Sequence, residues 1–466
     1  MPHTIAENLT RLQNAKTAIG NAITAKGGTV ASGDGLEEYA ADIATIPSGG
    51  TVPAERKDVN FYDYDGTCVY SYTADEFAEL SALPANPTHT GLTAQGWNWS
   101  LADAKAYVAD YGMLDIGQMY ITDDGKTRLY ITLTEGRLKP YLGLTGNSVG
   151  TTVSIDWGDG SVAESVTLDT VTVYTPHEYV SGGDYVITIA VVSGSISLTY
   201  VSSQSSNLLR KSATPDDNQD DVYRNTIVKC EIGNDISLSS GAFQGCDSLQ
   251  SVTLPRNVLF SSLALAFENC ISLKCIIFSS ELSQVGGNMM QYCRSLKVLC
   301  IPKDVTLSTS AFRYCDAIQS INLPNVSEIS LNICQNNSAL SQFIVPKTVT
   351  KIGTNIVSGC YGIGYLKFTP TTPPSIANVN AWTNIPSDCY ILVPYDTLDD
   401  YLNETNMPDD SVYLYLCFAK YAEGVTLPIA DSDGYNLTWY ATKDDARNGT
   451  NPITVGNGKE VYAIGV

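Results

Sequence analysis

The sequence predicts a multidomain, mainly β protein, and three observations support that fold class. Its 466 residues are too many for a single hydrophobic core. The chain contains 37 Gly, and its 28 Tyr outnumber its 10 Phe, which is typical of loop-rich β proteins. One apolar pattern also recurs about every 23 residues over the central third. We therefore expect five parts, at residues 1–50, 51–144, 145–225, 226–420 and 421–466.

The charge of the chain excludes some classes of partner. Lys and Arg total 27 against 49 Asp and Glu, which gives a net charge of −22, and no Lys/Arg cluster interrupts that acidity along the sequence. Nucleic acid and anionic membranes would be repelled. There is neither an apolar run of about 18 residues nor a basic segment followed by an apolar core. We expect no nucleic-acid partner, no membrane insertion and no export signal.

Residues 1–50 begin with the pattern of a coiled-coil helix. Positions 5, 9, 12, 16, 19 and 23 are separated by 4, 3, 4, 3 and 4 residues, and all except Lys16 are apolar, which puts them on one seam. The seam predicts oligomerisation through Ile5, Leu9, Leu12, Ile19 and Ile23. Because coiled coils with Ile-rich seams favour three or more helices, we expect a homo-oligomer and in particular a trimer. An amphipathic helix packed on its own domain is the alternative.

Residues 12–50 overlap this predicted helix and resemble a known N-terminal segment; their sequence is LQNAKTAIGNAITAKGGTVASGDGLEEYAADIATIPSGG. Such segments occur on many tail-fibre and baseplate-associated proteins of phages that infect gut Firmicutes. The resemblance implies an attachment or trimerisation segment at the virion end, which contacts other tail or baseplate proteins.

Residues 51–144 are expected to form a small α+β module, and they contain one motif of catalytic form. Asp63-x-Asp65-Gly66-Thr67 resembles the nucleophile motif of haloacid dehalogenases, in which the first Asp attacks phosphate and the second acts as acid and base. That chemistry also needs a parallel βαβ context, a later Lys and an acidic pair for magnesium. An alternating strand follows instead, which favours a hairpin with Asp65-Gly66 as its turn. We expect no catalytic residue, no cofactor and no enzyme activity.

Further secondary structure is predicted in the same module. Two short helices are expected at 74–82 and 100–112. Residues 117–122 and 127–133 alternate on either side of Asp124-Gly125, which predicts a second hairpin.

Few residues suit small-ligand or metal chemistry. Trp97 and Trp99 could stack on sugar, although a packing role is favoured. The chain contains only three His, so a zinc site or a catalytic triad based on His has little to draw on. We expect no metal site.

Residues 145–200 resemble a polycystic-kidney-disease (PKD) domain. The matching runs are TVSIDWGDGS, HEY at 177–179 and GDYVITIAV at 183–191. The resemblance implies an Ig-like β-sandwich that serves as a spacer or adhesion module. It further implies that Asp156, Trp157 and Asp159 hold a turn and a core, with calcium at the carboxylates as an open alternative.

The central third is a predicted solenoid with one coil per repeat. One column of the repeat is spaced by 24, 23, 22, 22 and 23 residues and consists of Cys246, Cys270, Cys293, Cys315, Asn337 and Cys360. Each coil can bury its apolar positions only against the neighbouring coils. Disulfides between adjacent coils are geometrically conceivable, but every Cys would then need two partners, so buried free thiols are expected.

This pattern resembles the cysteine-containing leucine-rich repeat of BspA-like surface proteins, over about 170 residues. The resemblance implies adhesion to a protein or a cell surface. One sheet lines a whole face of such a solenoid, so no individual residue is carried over as a host-binding site. Residues 369–402 resemble the terminal cap of these solenoids, and residues 434–466 resemble the small β-grasp repeats of bacterial surface proteins, which suits a distal tip.

Together these features predict a phage structural protein. We expect a tail fibre, or a baseplate-associated receptor-binding protein, that is made in the host cytoplasm, joins the virion and contacts a glycan or protein on the host surface. The absence of an export signal favours this over a bacterial surface adhesin. A capsid decoration fibre and an enzyme based on Asp63 are two further candidate functions.

Overall fold

The computed structural model describes residues 16, 56–198, 208–212, 223–260, 264–410, 412–431 and 436–465. The chain divides into two compact units, Met1–Glu55 and Arg56–Val466. The predicted oligomerisation residues lie in the first unit, outside the described residues: Ile5, Leu9, Leu12, Ile19 and Ile23. The coiled-coil helix therefore stays a prediction. The second unit is mainly β, and its described residues include four α-helices of 5 to 11 residues.

Residues 56–122 fold as a small α+β module, which we call the first module. Its elements are β1 (Val59–Tyr62), β2 (Cys68–Tyr72), α1 (Ala74–Ala78), β3 (Leu92–Trp97), α2 (Leu101–Tyr111) and β4 (Leu114–Thr122). The strand order is β2-β1-β4-β3, with β1 parallel to β4. The two predicted helices and the β1–β2 hairpin are confirmed, although α1 ends at Ala78 rather than at residue 82. The hairpin loop, however, spans 63–67 rather than two residues.

A two-sheet β unit follows. Its strands are β5 (Thr127–Leu133), β6 (Tyr141–Gly146), β7 (Thr151–Asp156), β8 (Glu164–Leu168), β9 (Val173–Pro176), β10 (Gly183–Ser193), β11 (Ile196–Leu198) and β12 (Leu209–Arg210). One sheet has the order β5-β10-β7-β8, and the other has the order β12-β6-β11 with β9 beside β6. Ile155, Trp157 and Ile189 are buried in the core of this unit.

The solenoid contains the next fourteen strands and one short helix. They are β13 (Ile227–Glu231), β14 (Ile236–Leu238), β15 (Ser251–Thr253), β16 (Leu259–Phe260), β17 (Cys275–Ile277), β18 (Gln284–Val285), β19 (Val298–Cys300), β20 (Thr306–Leu307), β21 (Glu328–Ile329), β22 (Gln342–Val345), β23 (Lys351–Ile352), β24 (Tyr365–Phe368), β25 (Ser375–Ile376), β26 (Tyr390–Pro394) and α3 (Leu398–Leu402). Strands of adjacent coils pair in parallel, as in β17–β19 and β22–β24–β26. The predicted repeat is therefore a stack of coils, each buried against its neighbours.

Both sheets of the β unit continue into the solenoid. β13 pairs with β5, and β14 pairs with β11. The predicted hairpin between 117–122 and 127–133 is consequently wrong. Both edges of β5 are occupied by β10 and β13, whereas β4 lies between β1 and β3. The β unit thus covers the first coil, whose apolar positions would otherwise be exposed.

The C-terminal residues continue the solenoid sheet beyond β26. They form β27 (Leu414–Lys420), β28 (Leu437–Tyr440), α4 (Lys443–Asn448), β29 (Pro452–Ile453) and β30 (Glu460–Gly465). β27 adds in parallel to β26, and β30 pairs antiparallel with β27. One sheet of order β22-β24-β26-β27-β30-β28-β29 results.

All twelve Cys are buried and none forms a disulfide, as the repeat pattern predicts. In the Cys column, four thiols also donate to a backbone carbonyl of the preceding coil at 3.0–3.1 Å: Cys270, Cys293, Cys315 and Cys360. Asn337, which departs from the column, is fully buried. Its Oδ1 accepts the backbone N–H of Cys315 at 2.8 Å, but its Nδ2 has no hydrogen-bond partner.

Asn337→Cys is therefore expected to stabilise the solenoid by about 1 kcal/mol, because it removes a buried donor without an acceptor. The Cys315 N–H can then bond within its own turn, as Cys293 N–H does to the Met290 carbonyl at 3.1 Å. Denaturant unfolding would measure the change. The reverse exchange, Cys293→Asn, is the matched control and should destabilise; equal effects of both variants would contradict this account.

The first module covers the outer face of the solenoid sheet. β4 lies against β15, β17 and β19. Gly117 is essential for this close approach, because a Cβ at that position would lie 2.4 Å from Ile277 Cγ2 and 3.0 Å from Cys300 Cβ. The absence of a side chain therefore lets two sheets pack face to face.

Gly117→Ala is expected to weaken this packing by about 2 kcal/mol through overpacking. Hydrogen exchange of the β4 amides would report the free energy of local opening. Gly136→Ala is the control, since a Cβ there would have nothing within 4 Å. Unchanged protection of β4 in Gly117→Ala would show that the interface yields without cost.

Candidate functional site

The aspartate motif lies in the β1–β2 loop and is turned inward. Asp63 is only 5 % exposed, and its Oδ2 lies 2.7 Å from His89 Nε2. Its Oδ1 accepts the backbone N–H of Tyr64 at 2.8 Å. Asp65 accepts the N–H of Thr67, and Gly66 adopts φ +87°. Both carboxylates therefore shape the loop.

The tryptophan pair is buried. Trp97 Nε1 donates to the Pro84 carbonyl and Trp99 Nε1 to the Ile301 carbonyl, both at 2.9 Å. The favoured packing role is confirmed, because Trp97 is only 6 % and Trp99 only 4 % exposed. Because Ile301 belongs to the solenoid, the hydrogen bond of Trp99 also joins the first module to the solenoid.

In the β unit, the acidic residues of the Trp-Gly-Asp-Gly turn serve the turn itself. Asp159 contacts His177 Nε2 at 2.8 Å and accepts the Ser161 N–H at 3.0 Å. Partial burial opposes ionisation of Asp159, but the hydrogen bonds from Ser161 and His177 outweigh it and lower the pKa to about 2. The His177 ring stacks on Trp157 at 4.6 Å. The resemblance implied this structural role.

Among the described residues, no group of three or more His, Cys, Asp or Glu side chains could hold a metal ion. In the same part of the chain, no helix is both long and apolar enough to cross a membrane.

The sheet face that the first module leaves open forms a cleft of about 600 Å³ between that module and the C-terminal residues. Its floor consists of outward side chains of β22, β24 and β26, with Gln342 beside Tyr365, and Ile344 beside Lys367 and Leu392. The end of α2 forms one wall, and the residues around Lys443 and β30 form the other. Since five lysines line it, we call it the lysine cleft: Lys57, Lys367, Lys420, Lys443 and Lys459.

Lys443 is the most unusual of these lysines. Its Nζ lies 3.6 Å from the centre of the Tyr365 ring and 5.6 Å from that of Tyr462. Burial lowers the pKa of Lys443, and the neighbouring charge of Lys367 lowers it further, while Glu460 and Asp444 oppose both. An aromatic face attracts a cation but does not neutralise it.

Lys367 is 7 % exposed and is held from two sides. Its Nζ contacts Glu460 Oε2 at 2.5 Å and lies 4.4 Å from the centre of the Phe418 ring. Glu460 Oε1 in turn accepts the hydroxyl of Tyr462 at 2.9 Å. This network fixes the positions of a cation and an aromatic ring at the cleft floor.

The lysine cleft is not apparent in the sequence, because no Lys/Arg cluster exists along the chain. The lysines lie on β24, β27, α4, the loop before β30 and the residues before β1, and only the fold brings them together. The sequence contains one indication of the cleft. Lys367, in the run YLKF, occupies a position of the repeat at which other coils have an apolar or uncharged residue, such as Ile277 and Cys300.

Residues 236–364 match the model of a family described as BspA type leucine rich repeat region, in six copies. These residues are BspA-type leucine-rich repeats. The repeat alignment in the sequence predicted this, and the stacked coils agree with it. The match does not extend to the first module, the β unit or the C-terminal residues.

Three solved structures are similar to parts of the chain. A leucine rich cell surface protein of Faecalibacterium prausnitzii is 21 % identical with a TM-score of 0.26, over 32 % of this chain and 46 % of that one. A leucine rich repeat protein of T. pallidum is 20 % identical with a TM-score of 0.27, over 37 % of this chain and 72 % of that one. A leucine-rich repeat protein of Bacteroides ovatus is 14 % identical with a TM-score of 0.25, over 44 % of this chain and 76 % of that one. The chain thus spans less than half of the first structure, and no curated protein matches it.

Proposed function

We propose that this is an adhesion protein of a phage virion, a tail fibre or baseplate-associated receptor-binding protein that contacts the host surface. The observation that carries the binding role is the continuous β framework, capped by other modules, which holds the lysine cleft open. The run from residue 12 to residue 50 supports the virion setting through its resemblance to phage attachment segments. In this proposal that segment trimerises the chain and joins it to other tail or baseplate proteins.

A bacterial surface adhesin is the second candidate. The BspA-type repeats of residues 236–364 favour it, because their family resemblance implies cell-surface adhesion. In either setting the protein binds a surface and catalyses no reaction.

Immunogold electron microscopy with antibodies against the full chain separates these proposals. Label at the tail end of purified virions would support the phage proposal, and label on intact uninfected cells would support the bacterial adhesin. Label on capsids would indicate a decoration fibre. Absence of label from both virions and cells would overturn the adhesion role.

A further inference from the structure

The lysine cleft contains more cations than its own carboxylates neutralise. Lys367 pairs with Glu460 at 2.5 Å, and Lys57 pairs with Glu76 at 2.9 Å. The other three lysines of the cleft form no ion pair with a described residue: Lys420, Lys443 and Lys459. The lining contains five lysines and four carboxylates, whereas the whole chain has a net charge of −22.

The acidic residues that line the cleft are mostly engaged elsewhere. Asp110 pairs with Lys347 at 2.5 Å, and Asp58 accepts the backbone N–H of Ala74 at 2.9 Å. Glu460 is committed to Lys367 and to the Tyr462 hydroxyl. Asp75 is the remaining acidic residue and is exposed at the rim. Glu460 and Asp444 partly compensate the charge of Lys443, but among the described residues neither carboxylate forms an ion pair with it.

The position of Lys443 is costly without a ligand. Its ammonium group is partly withdrawn from water beside two tyrosine rings and close to a second buried lysine. Desolvated cations that lack a carboxylate are destabilising unless an anion completes their coordination. The hydroxyl of Tyr365, on the same floor, donates to no described residue and is a further donor for such an anion.

We propose that the lysine cleft binds the oxyanion groups of an acidic cell-surface glycan, with phosphate or carboxylate as the recognised group. Lys443 forms the central contact, Lys367 adds charge from the floor, and Lys420 and Lys459 hold the next anionic unit of the polymer. A volume of about 600 Å³ lies within the usual range of ligand sites. This assignment rests on the proposed adhesion function and names its ligand class.

The test uses the full chain and three oligomers of equal length in calorimetric titration: a glycerol phosphate, a galacturonate and a neutral glucose oligomer. We expect at least one anionic oligomer to bind at least about tenfold more tightly than the neutral one, with affinity falling as salt rises. Lys443→Met should lose about tenfold, as is typical for one charged hydrogen bond, whereas Lys443→Arg should retain most of the affinity. Whichever anionic oligomer binds better identifies phosphate or carboxylate as the source.

Lys274→Met is the matched control, because Lys274 lies on another coil and its Nζ only donates to the Gln250 side chain. Its affinity should equal that of the unaltered chain. The proposal is overturned if no anionic oligomer binds, if the neutral oligomer binds equally well, or if Lys443→Met binds as tightly as Lys274→Met. Circular dichroism of both variants excludes misfolding as the cause of a loss.

Cell binding separates this proposal from the adhesion function on which it rests. If the chain binds cells and Lys443→Met binds them equally, adhesion stands and the lysine cleft is not its site. If the chain binds acidic oligomers through Lys443 but binds neither cells nor virions, the ligand class stands and the adhesion function fails.

Discussion

Asn98→Ala is expected to weaken the docking of the first module on the solenoid by about 3 kcal/mol. Asn98 is 2 % exposed, and its side chain makes three hydrogen bonds, one within the first module and two to the solenoid. Its Oδ1 accepts the N–H of Gly117 at 2.9 Å, and its Nδ2 donates to the carbonyls of Phe278 at 3.1 Å and Cys300 at 3.3 Å. The substitution removes the side-chain partner of the Gly117 N–H and of the Phe278 carbonyl, whereas the Cys300 carbonyl still accepts the Phe278 N–H at 3.1 Å.

Native-state hydrogen exchange would measure this effect, because a module can open without unfolding the solenoid. Protection of β4 amides should fall in Asn98→Ala, while amides of β22 and β24 stay protected. Asn147→Ala is the control: its side chain also bonds to Ser195 and Ser197 but is exposed, so its loss should be small. Uniform loss of protection in Asn98→Ala would instead mean that module and solenoid unfold as one unit.

The solenoid could be predicted because its repeat is written in the sequence. Stacked coils need the same side chain at the same height, so Cys246 and Cys270 recur one coil apart and are both buried. The docking of the first module leaves no such trace. It depends on long-range contacts such as the approach of Gly117 to Ile277 and the hydrogen bonds of Asn98 to backbone carbonyls 180 and 202 positions away. No local pattern encodes a contact of that kind.

The pairing of β4 with β5 was predicted wrongly for a related reason. Alternation around Asp124-Gly125 is equally compatible with a hairpin and with two strands that enter different sheets. The sequence does not contain the deciding fact, which is that β5 finds partners in both β10 and β13. The candidate site shares this limit, because Lys367 and Lys443 become neighbours only when β30 joins the sheet beside β27.

A buried carboxylate paired with an exposed arginine provides the second large expected effect. Asp115 is 3 % exposed, and Arg56 Nη2 contacts its Oδ2 at 3.2 Å. Asn60 donates to Oδ1 at 3.0 Å, and Arg56 also reaches Ser320 of the solenoid at 3.2 Å. Burial raises the pKa of Asp115, and Arg56, Asn60 and Ser320 partly counter that rise. The carboxylate is therefore tolerated in this interface chiefly through Arg56.

Arg56→Met is expected to cost about 3 kcal/mol at pH 7, because it leaves a buried carboxylate without its counter-charge. The pKa of Asp115 in the folded chain lies above the ordinary 3.8 and should rise further in the variant. A raised carboxyl pKa means that ionisation opposes folding, so the cost is absent below the unfolded pKa and grows as pH rises through the folded one. Denaturant unfolding of variant and unaltered chain at pH 4 and pH 7 should therefore show a small difference at the lower pH.

Asp115→Asn in the Arg56→Met background separates charge from packing. The amide keeps the shape of the carboxylate and carries no charge, so the double variant should recover most of the stability lost at pH 7. It should also lose the added pH dependence, because the group that titrates is gone. If the double variant stays as unstable as Arg56→Met at both pH values, the contribution of Arg56 is its contact with Ser320 and Gln319, and not the neutralisation of Asp115.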